Sequence, residues 1–257
     1  MLTSQFRSKT ILMTAATSGI GKAAARMYGE AGAQTVILNG RNAETGAKVS
    51  AELAALNPGT QYRFIQGDIG VAAQIGRLFS EMRDIAPRLD VFVHCGGAQI
   101  APTFFKHLDP STYQEQIDGH FAGFMHCCRG ALSMMKAGGA IVAVASDAGK
   151  VATPSETVIG AMKAAIIMFA RTLSLEVARD GIRVNVVTPS LVADTRSHDR
   201  IMANETGRKI FEKAIAKAKL GLPGPDDVAA LIVFLSSPLA AKITGQAISV
   251  NGGISAA

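Results

Sequence analysis

The 257-residue chain carries 26 lysines and arginines against 20 acids, a formal net charge of +6, with 48% hydrophobic and 18% charged residues. That length suits one large hydrophobic core rather than two full domains, and the apolar content excludes disorder and collagen-like repeats. A single domain over residues 1–257 is expected.

Strand-like and helix-like segments alternate from end to end, with no linker and no internal repeat. Thr10-Ile11-Leu12-Met13-Thr14 reads as the first strand; a small-residue turn follows, and then a helix over 19–31 that stops at Gly32. Further strands are predicted near 35–38, 62–66, 91–94, 140–145, 183–188 and 247–250, and helices near 43–56, 71–85, 111–136, 155–179 and 226–235. Seven strands joined by helical crossovers predict an α/β fold, a doubly wound parallel sheet of Rossmann type with helices on both faces. The ligand crevice of such a sheet lies at the carboxyl ends of its strands.

The most apolar stretches are interrupted, 164–170 by the Arg171 that follows and 141–145 by Ser146-Asp147, so no transmembrane helix is predicted. From Met1 to Lys9 no basic segment leads into an apolar run, so no secretory leader is predicted and the cytoplasm is the expected compartment. Cys95, Cys127 and Cys128 give no disulfide framework, and beside His94 and His126 they match no metal spacing; no metal is expected. Much of the positive excess is local, because Arg200, Arg208, Lys209, Lys213, Lys217 and Lys219 oppose only Asp199, Glu205 and Glu212. Its helical spacing reads as a solvated face, or else as a rim that attracts an anionic substrate or a phosphate-bearing carrier. With three Tyr, no Trp and no recognisable nucleic-acid module, no nucleic-acid partner is expected.

The first strand opens into Thr14-Ala15-Ala16-Thr17-Ser18-Gly19-Ile20-Gly21 and then a helix. Gly19 and Gly21 let the backbone approach a pyrophosphate, and the helix start offers free amides and the positive end of a dipole. This turn resembles the Thr-Gly-x-x-x-Gly-x-Gly of the short-chain dehydrogenase/reductase family, with Ala15 at the first glycine, and the resemblance runs along essentially the whole chain. Asp68-Ile69 resembles the family's adenine-contacting pair. His94-Cys95-Gly96-Gly97 stands where Asn-Asn-Ala-Gly is usual, and Arg183 to Ser190 resembles the Arg-Val-Asn strand with its Pro-Gly turn, Ser190 replacing the glycine. Phe234-Leu235-Ser236-Ser237 and the stretch from Thr244-Gly245-Gln246 to Asn251-Gly252-Gly253 match the C-terminal signature. The resemblance implies cofactor contacts from Thr14, Ala15, Ser18, Gly19, Ile20, Gly21, Asp68, Ile69, Cys95, Gly96, Gly97, Lys163 and Pro189. At the end of the second strand Gly40-Arg41 offers no carboxylate for a ribose 2′-hydroxyl, while an arginine there can pair with a 2′-phosphate; NADP(H) is favoured and NAD(H) is the alternative.

The family works with Asn, Ser, Tyr and Lys, of which Ser146 and Lys163 match the Ser and the Lys. Position 159, where Tyr-x-x-x-Lys should begin, is Ile, and His120 stands at the Asn position. Tyr28, Tyr62 and Tyr113 are the only tyrosines, and none lies four residues before a lysine. A desolvated Glu156, one helical turn before Ile159, can supply the proton, or His120 can, or the substrate needs no acid at the hydride step. The competing readings are an exposed helix-start Glu156, a hydrogen-bonded core His120 and Asp147 as a mere turn residue. Two functions stay open. One is an NADP(H)-dependent oxidoreductase acting on a small carbonyl, imine or activated alkene with a non-standard proton donor, and 190–221 as a substrate-side lid. The other is a dinucleotide-binding protein without redox turnover, a sensor, partner subunit or non-redox enzyme on the same fold. The apolar helices over 111–136 and 155–179 further predict a homotetramer or dimer.

Overall fold

Alternate residues of each strand feed two different cores, and this alternation builds the molecule. The computed structural model describes residues 4–97 and 100–257; of the N-terminal segment read as leader-free, residues 1–3 lie outside the described residues. Strands β1 (Thr10–Thr14), β2 (Thr35–Gly40), β3 (Gln61–Gln66), β4 (Val91–His94), β5 (Ala140–Val144), β6 (Arg183–Pro189) and β7 (Ala247–Val250) form one sheet in the order β3-β2-β1-β4-β5-β6-β7, every pair parallel. Ile11 and Met13 of β1 point into a core with α1 (Gly19–Glu30), α2 (Ala43–Leu56) and α9 (Pro225–Ser236). Leu12 points the other way, into a core with α3 (Ala72–Ile85), α5 (Gly123–Leu132) and α6 (Thr157–Val177). With both faces covered, the central strands are apolar throughout, which is why they read as continuous runs rather than alternating ones.

The chain leaves β1 for β2 and β3 on one side, then returns to lay β4 against the other side of β1, with Thr14 opposite His94. That reversal opens a crevice at the carboxyl ends of β1 and β4.

The helix predicted over 111–136 is not continuous. A 3₁₀ turn (Pro110–Thr112) leads into α4 (Tyr113–Ile117), a π turn follows at Asp118–Ala122, and α5 ends at Leu132. Two glycines explain the interruption. A Cβ on Gly123 would lie 2.2 Å from the Ile69 carbonyl oxygen, and Gly119 comes within 3.7 Å of the Cβ position of Gly70. The π turn is where the helix presses against the loop after β3.

Residues 190–221 contain α7 (Arg196–Ala203) and α8 (Glu205–Ile215), which close over a small core of Leu191, Ile201 and Phe211. Helix α6 with the turn after it, Thr157–Asp180, is long and apolar enough to cross a membrane, with mean hydropathy 1.6, so Arg171 does not break the run as the sequence reading expected. In the fold Ile166, Ile167 and Ala170 of that helix are buried in the second core, and the apolarity serves the sheet.

Candidate functional site

The first wall of the crevice is main chain. Ala15 adopts φ +51° and Gly19 +49°, a left-handed bend that carries the chain from β1 into α1. A Cβ on Gly21 would meet the Ala15 carbonyl oxygen at 2.7 Å, so only glycine lets the helix start so close to the turn. Ser18, the residue before α1, is extended with no side-chain cap, and the first turn of the helix holds no acid. The opening amides of α1 are therefore free for an anion. Ala15, Ser18, Gly19, Ile20 and Gly21 all line a cavity of about 1110 Å³.

A smaller cavity of about 400 Å³ continues past the ends of β2 and β3 and shares Ala15, Ser18, Gly96, Gly97 and Arg196 with the first. Arg41, Asp68 and Ile69 line it. The Arg41 carbonyl accepts from Gln66 Nε2 at 3.0 Å, while its guanidinium is exposed and 4.0 Å from Asp68. An exposed pair at that distance is weak, so the cation is available to a ligand. Asp68 Oδ1 accepts from the Gly70 amide at 2.8 Å. Asn39, which the sequence reading missed, is buried and donates to the Ile65 and Gly67 carbonyls at 3.1 Å each, fixing the end of β2 against β3. Thr14, expected among the cofactor contacts, lines neither cavity; it is fully buried and its Oγ1 meets His94 Nδ1 at 3.0 Å.

The far wall is built from ionisable side chains. Lys163 and His120 are buried, Glu156 is half-buried, and all three line the large cavity with Ser146, Cys95, Ile159 and Pro189. Gly149 and Gly160 set the spacing. A Cβ on Gly149 would lie 2.7 Å from the Lys163 carbonyl carbon, and one on Gly160 would lie 2.8 Å from the Ala148 oxygen, so the turn after β5 rests directly on α6. Ser146 Oγ accepts from the Ala148 amide at 3.2 Å, which leaves its proton to donate into the cavity. Lys163 Nζ reaches the Val144 carbonyl at 3.4 Å, a long contact that leaves most of its donor capacity free.

Burial lifts the Glu156 carboxyl to about 7 against the opposing pull of Lys163, and lowers Lys163 to about 8. Near neutral pH the cavity thus holds a charged ammonium beside a carboxyl that is close to half protonated. Burial, then Lys163 and His94, push His120 down to about 2, and burial pushes Cys95 up to about 12, so these two are neutral. Neither ring nitrogen of His120 finds a partner among the described residues. Its ring lies over Gly97, where a Cβ would approach Nδ1 to 2.6 Å. Glu156 is not simply an exposed helix-start residue.

Asp147 is more than a turn residue. It is buried, its Oδ1 accepts from Ser249 Oγ at 3.1 Å, and its Oδ2 accepts from Asn251 Nδ2 at 2.5 Å and Ser255 Oγ at 2.8 Å. These bonds fasten the segment after β7 beside Ser146. Among the described residues no three His, Cys, Asp or Glu side chains gather where a metal ion could sit.

The family model described as Enoyl-(Acyl carrier protein) reductase matches residues 14–255, nearly the whole chain. The chain belongs to the short-chain dehydrogenase/reductase family. Among its relatives, an oxidoreductase designated asL5 from Sarocladium schorii is 32% identical over 252 residues, covering 96% of this chain and 95% of that one. A 3beta-hydroxysteroid dehydrogenase from Mediterraneibacter gnavus is 31% identical over 267 residues, covering 97% and 95%. The crystal structure of a short-chain dehydrogenase/reductase (SDR: glucose/ribitol dehydrogenase) from Brucella melitensis superposes with TM-score 0.89 at 26% identity, covering 99% of this chain and all of that one. The seven-stranded sheet of this family member is thus that of its structural relatives.

Proposed function

We propose that this family member is an NADP(H)-dependent oxidoreductase acting on a small carbonyl, imine or activated alkene, with Glu156 in place of the family's tyrosine as proton donor. The observation that carries the reading is the meeting of Ser146, Lys163 and a Glu156 carboxyl lifted to about 7 in one cavity. The cradle fits a dinucleotide. The free amides of α1 and the bend at Ala15 and Gly19 suit a pyrophosphate, and the exposed guanidinium of Arg41 suits a 2′-phosphate. When bound, the nicotinamide supplies or accepts the hydride. Ser146 Oγ donates to the substrate oxygen, Lys163 holds ribose hydroxyls and supplies positive charge, and protonated Glu156 gives up its proton where an alkoxide would form. A neutral imidazole at His120 adds one donor and one acceptor to the same wall.

None of the three tyrosines takes the donor position. Tyr28 is buried on Ser236 Oγ at 2.8 Å, Tyr62 donates to the Ala25 carbonyl at 3.1 Å, and Tyr113 stacks on Phe105. That absence favours, as a second reading, a dinucleotide-binding protein without redox turnover.

Exposed Met125 on α5 with Met168 and Leu175 on α6 supports a homodimer or homotetramer through these helices. The three free thiols fit a cytoplasmic home.

The test joins NADPH fluorescence to a panel of ketones, imines and enones. Glu156→Gln is expected to lower turnover by about 10²–10⁴ while NADPH affinity stays within about twofold, because the amide keeps the shape and loses the proton. Binding with no turnover across the panel selects the second reading, and unaltered turnover in the variant removes Glu156 as the donor.

A further inference from the structure

A 3₁₀ turn at Asp147–Gly149 follows β5, and its main chain is already satisfied. The Gly149 amide reaches the Ser146 carbonyl at 3.0 Å, and the amides of Lys150 and Val151 both reach the Asp147 carbonyl at 2.8 Å. The turn therefore needs nothing from the Asp147 side chain. That carboxylate is nevertheless buried, and the side chains that donate to it, Ser249, Asn251 and Ser255, all come from β7 and the segment after it. A buried carboxylate is costly unless such donors satisfy it, so Asp147 is fixed by the segment it holds rather than by the turn it belongs to.

On one side this fixation reaches Ser146. The Ala148 amide, from which Ser146 Oγ accepts at 3.2 Å, belongs to the peptide unit that starts at Asp147. With Asp147 anchored through both its side chain and its carbonyl, that peptide is not free to rotate, and the serine hydroxyl keeps one heading. Lys150 Nζ donates to Ser249 Oγ at 2.5 Å and grips the same strand from the far end of the turn.

On the other side it reaches the cavity wall. Asn251 closes 251–255 into a tight turn, its Nδ2 donating to Ser255 Oγ at 3.0 Å and its Oδ1 accepting from the Gly253 amide at 3.0 Å. Ile254 and Ser255 of that turn line the large cavity with Ser146 and Asp147. The same turn meets the end of 190–221. The Gly252 carbonyl accepts from the Leu220 amide at 3.1 Å, and a Cβ on Gly252 would lie 1.9 Å from the Gly221 oxygen.

We infer that Asp147 is a positioning residue, aiming the Ser146 hydroxyl through the Ala148 amide and holding 251–255 as the cavity wall next to it. The role rests on the oxidoreductase reading for Ser146 as donor to the substrate oxygen.

The test reads amide exchange and rate together. In Asp147→Asn, which turns an acceptor oxygen into a donor, exchange over 146–151 and at Leu220 is expected to quicken about tenfold while β1 and β4 stay protected. With a ketone, imine or enone that the protein turns over, kcat is expected to fall about tenfold in this variant and about 10²–10³ in Ser146→Ala. Added to Ser146→Ala, Asp147→Asn is expected to cost less than about twofold more, because aim matters only where a hydroxyl is present. A purely structural role would cost the same in both backgrounds. Full multiplication of the two losses, or exchange unchanged at either segment, overturns the inference. Where Asp147→Asn does not fold, Ser255→Ala, which removes one donor and leaves Ser249 and Asn251, is judged by the same readings. Absence of turnover in the parent protein is the failure of the oxidoreductase reading, and exchange over 146–151 then decides whether Asp147 holds the serine.

Discussion

Around β1, β2 and β3 the furrow is walled by main chain, with the bend at Ala15, the close approach at Gly21 and the free amides of α1, and the side chains there are mostly small or turned to solvent. Beyond β4 it is walled by Glu156, Lys163 and His120, whose charge states are set by burial and by one another. The first wall depends on geometry and tolerates a changed side chain if the backbone can still bend. The second depends on proton affinities, so one substitution there changes the chemistry while leaving the fold alone.

The sharpest way to press this contrast is to restore a phenol on the second wall. Ile159→Tyr is expected to raise turnover of simple ketones by about 10²–10⁴, the worth of a general acid, with the neighbouring Lys163 charge favouring the ionised phenol. Steady-state rates with NADPH decide it; no gain with folding intact means that the wall was rebuilt around Glu156. Next in size, Arg41→Asp on the first wall is expected to reverse the order of NADPH and NADH affinity by about 10–100-fold in ratio, a charge-assisted bond lost and a hydroxyl acceptor gained. Equal affinities in the parent protein would end that argument.

A third effect is one of stability. His120 titrates near 2 in the fold and near 6.5 when unfolded, so between those values the unfolded chain holds the extra proton and stability falls as pH drops. Its share is about 1.4 kcal/mol per pH unit. His120→Asn should flatten denaturant midpoints measured from pH 6 to pH 5 by that amount. Glu156 acts with the opposite sign, because its raised value makes the folded chain hold the extra proton between about 4.5 and 7, so its share of stability falls as pH rises across that window. The smallest expected change is back on the first wall. Ala15→Gly removes a left-handed strain of about 1–2 kcal/mol and costs about 0.5–1 through a looser unfolded chain, a net gain below about 1.5 kcal/mol in melting experiments.

The sheet was legible because its strands are buried on both faces, so runs such as Thr10–Thr14 carry their own signal. The turn from Thr14 to Gly21 was legible from Gly19 and Gly21, the second of which sits where a Cβ would meet the Ala15 carbonyl oxygen, whereas the left-handed Ala15 left no mark in the sequence. The π turn at Asp118–Ala122 was not, since its cause is the Ile69 carbonyl, which folding brings against Gly123 from 54 positions earlier in the chain. Asp147 looked like a turn residue for the same reason, its partners lying 102 to 108 positions further on. The lysine spacing was visible, but the closure of α7 and α8 over Leu191, Ile201 and Phe211 was not. Local pattern reveals what a segment is; which wall it faces is settled by its distant neighbours.

The fastening of Asp147 to Ser249, Asn251 and Ser255 also sets an order of assembly during synthesis. Asp147, beside Ser146, is made about 100 residues before its partners, so its carboxylate has none of them until β7 and the segment beyond it have emerged. At about 5–20 residues per second this is a delay of about 5–20 s, during which β1, β2 and β3 are already present. A chain within that window carries β1, β2 and β3 complete and the Asp147 carboxylate without the side chains that bury it.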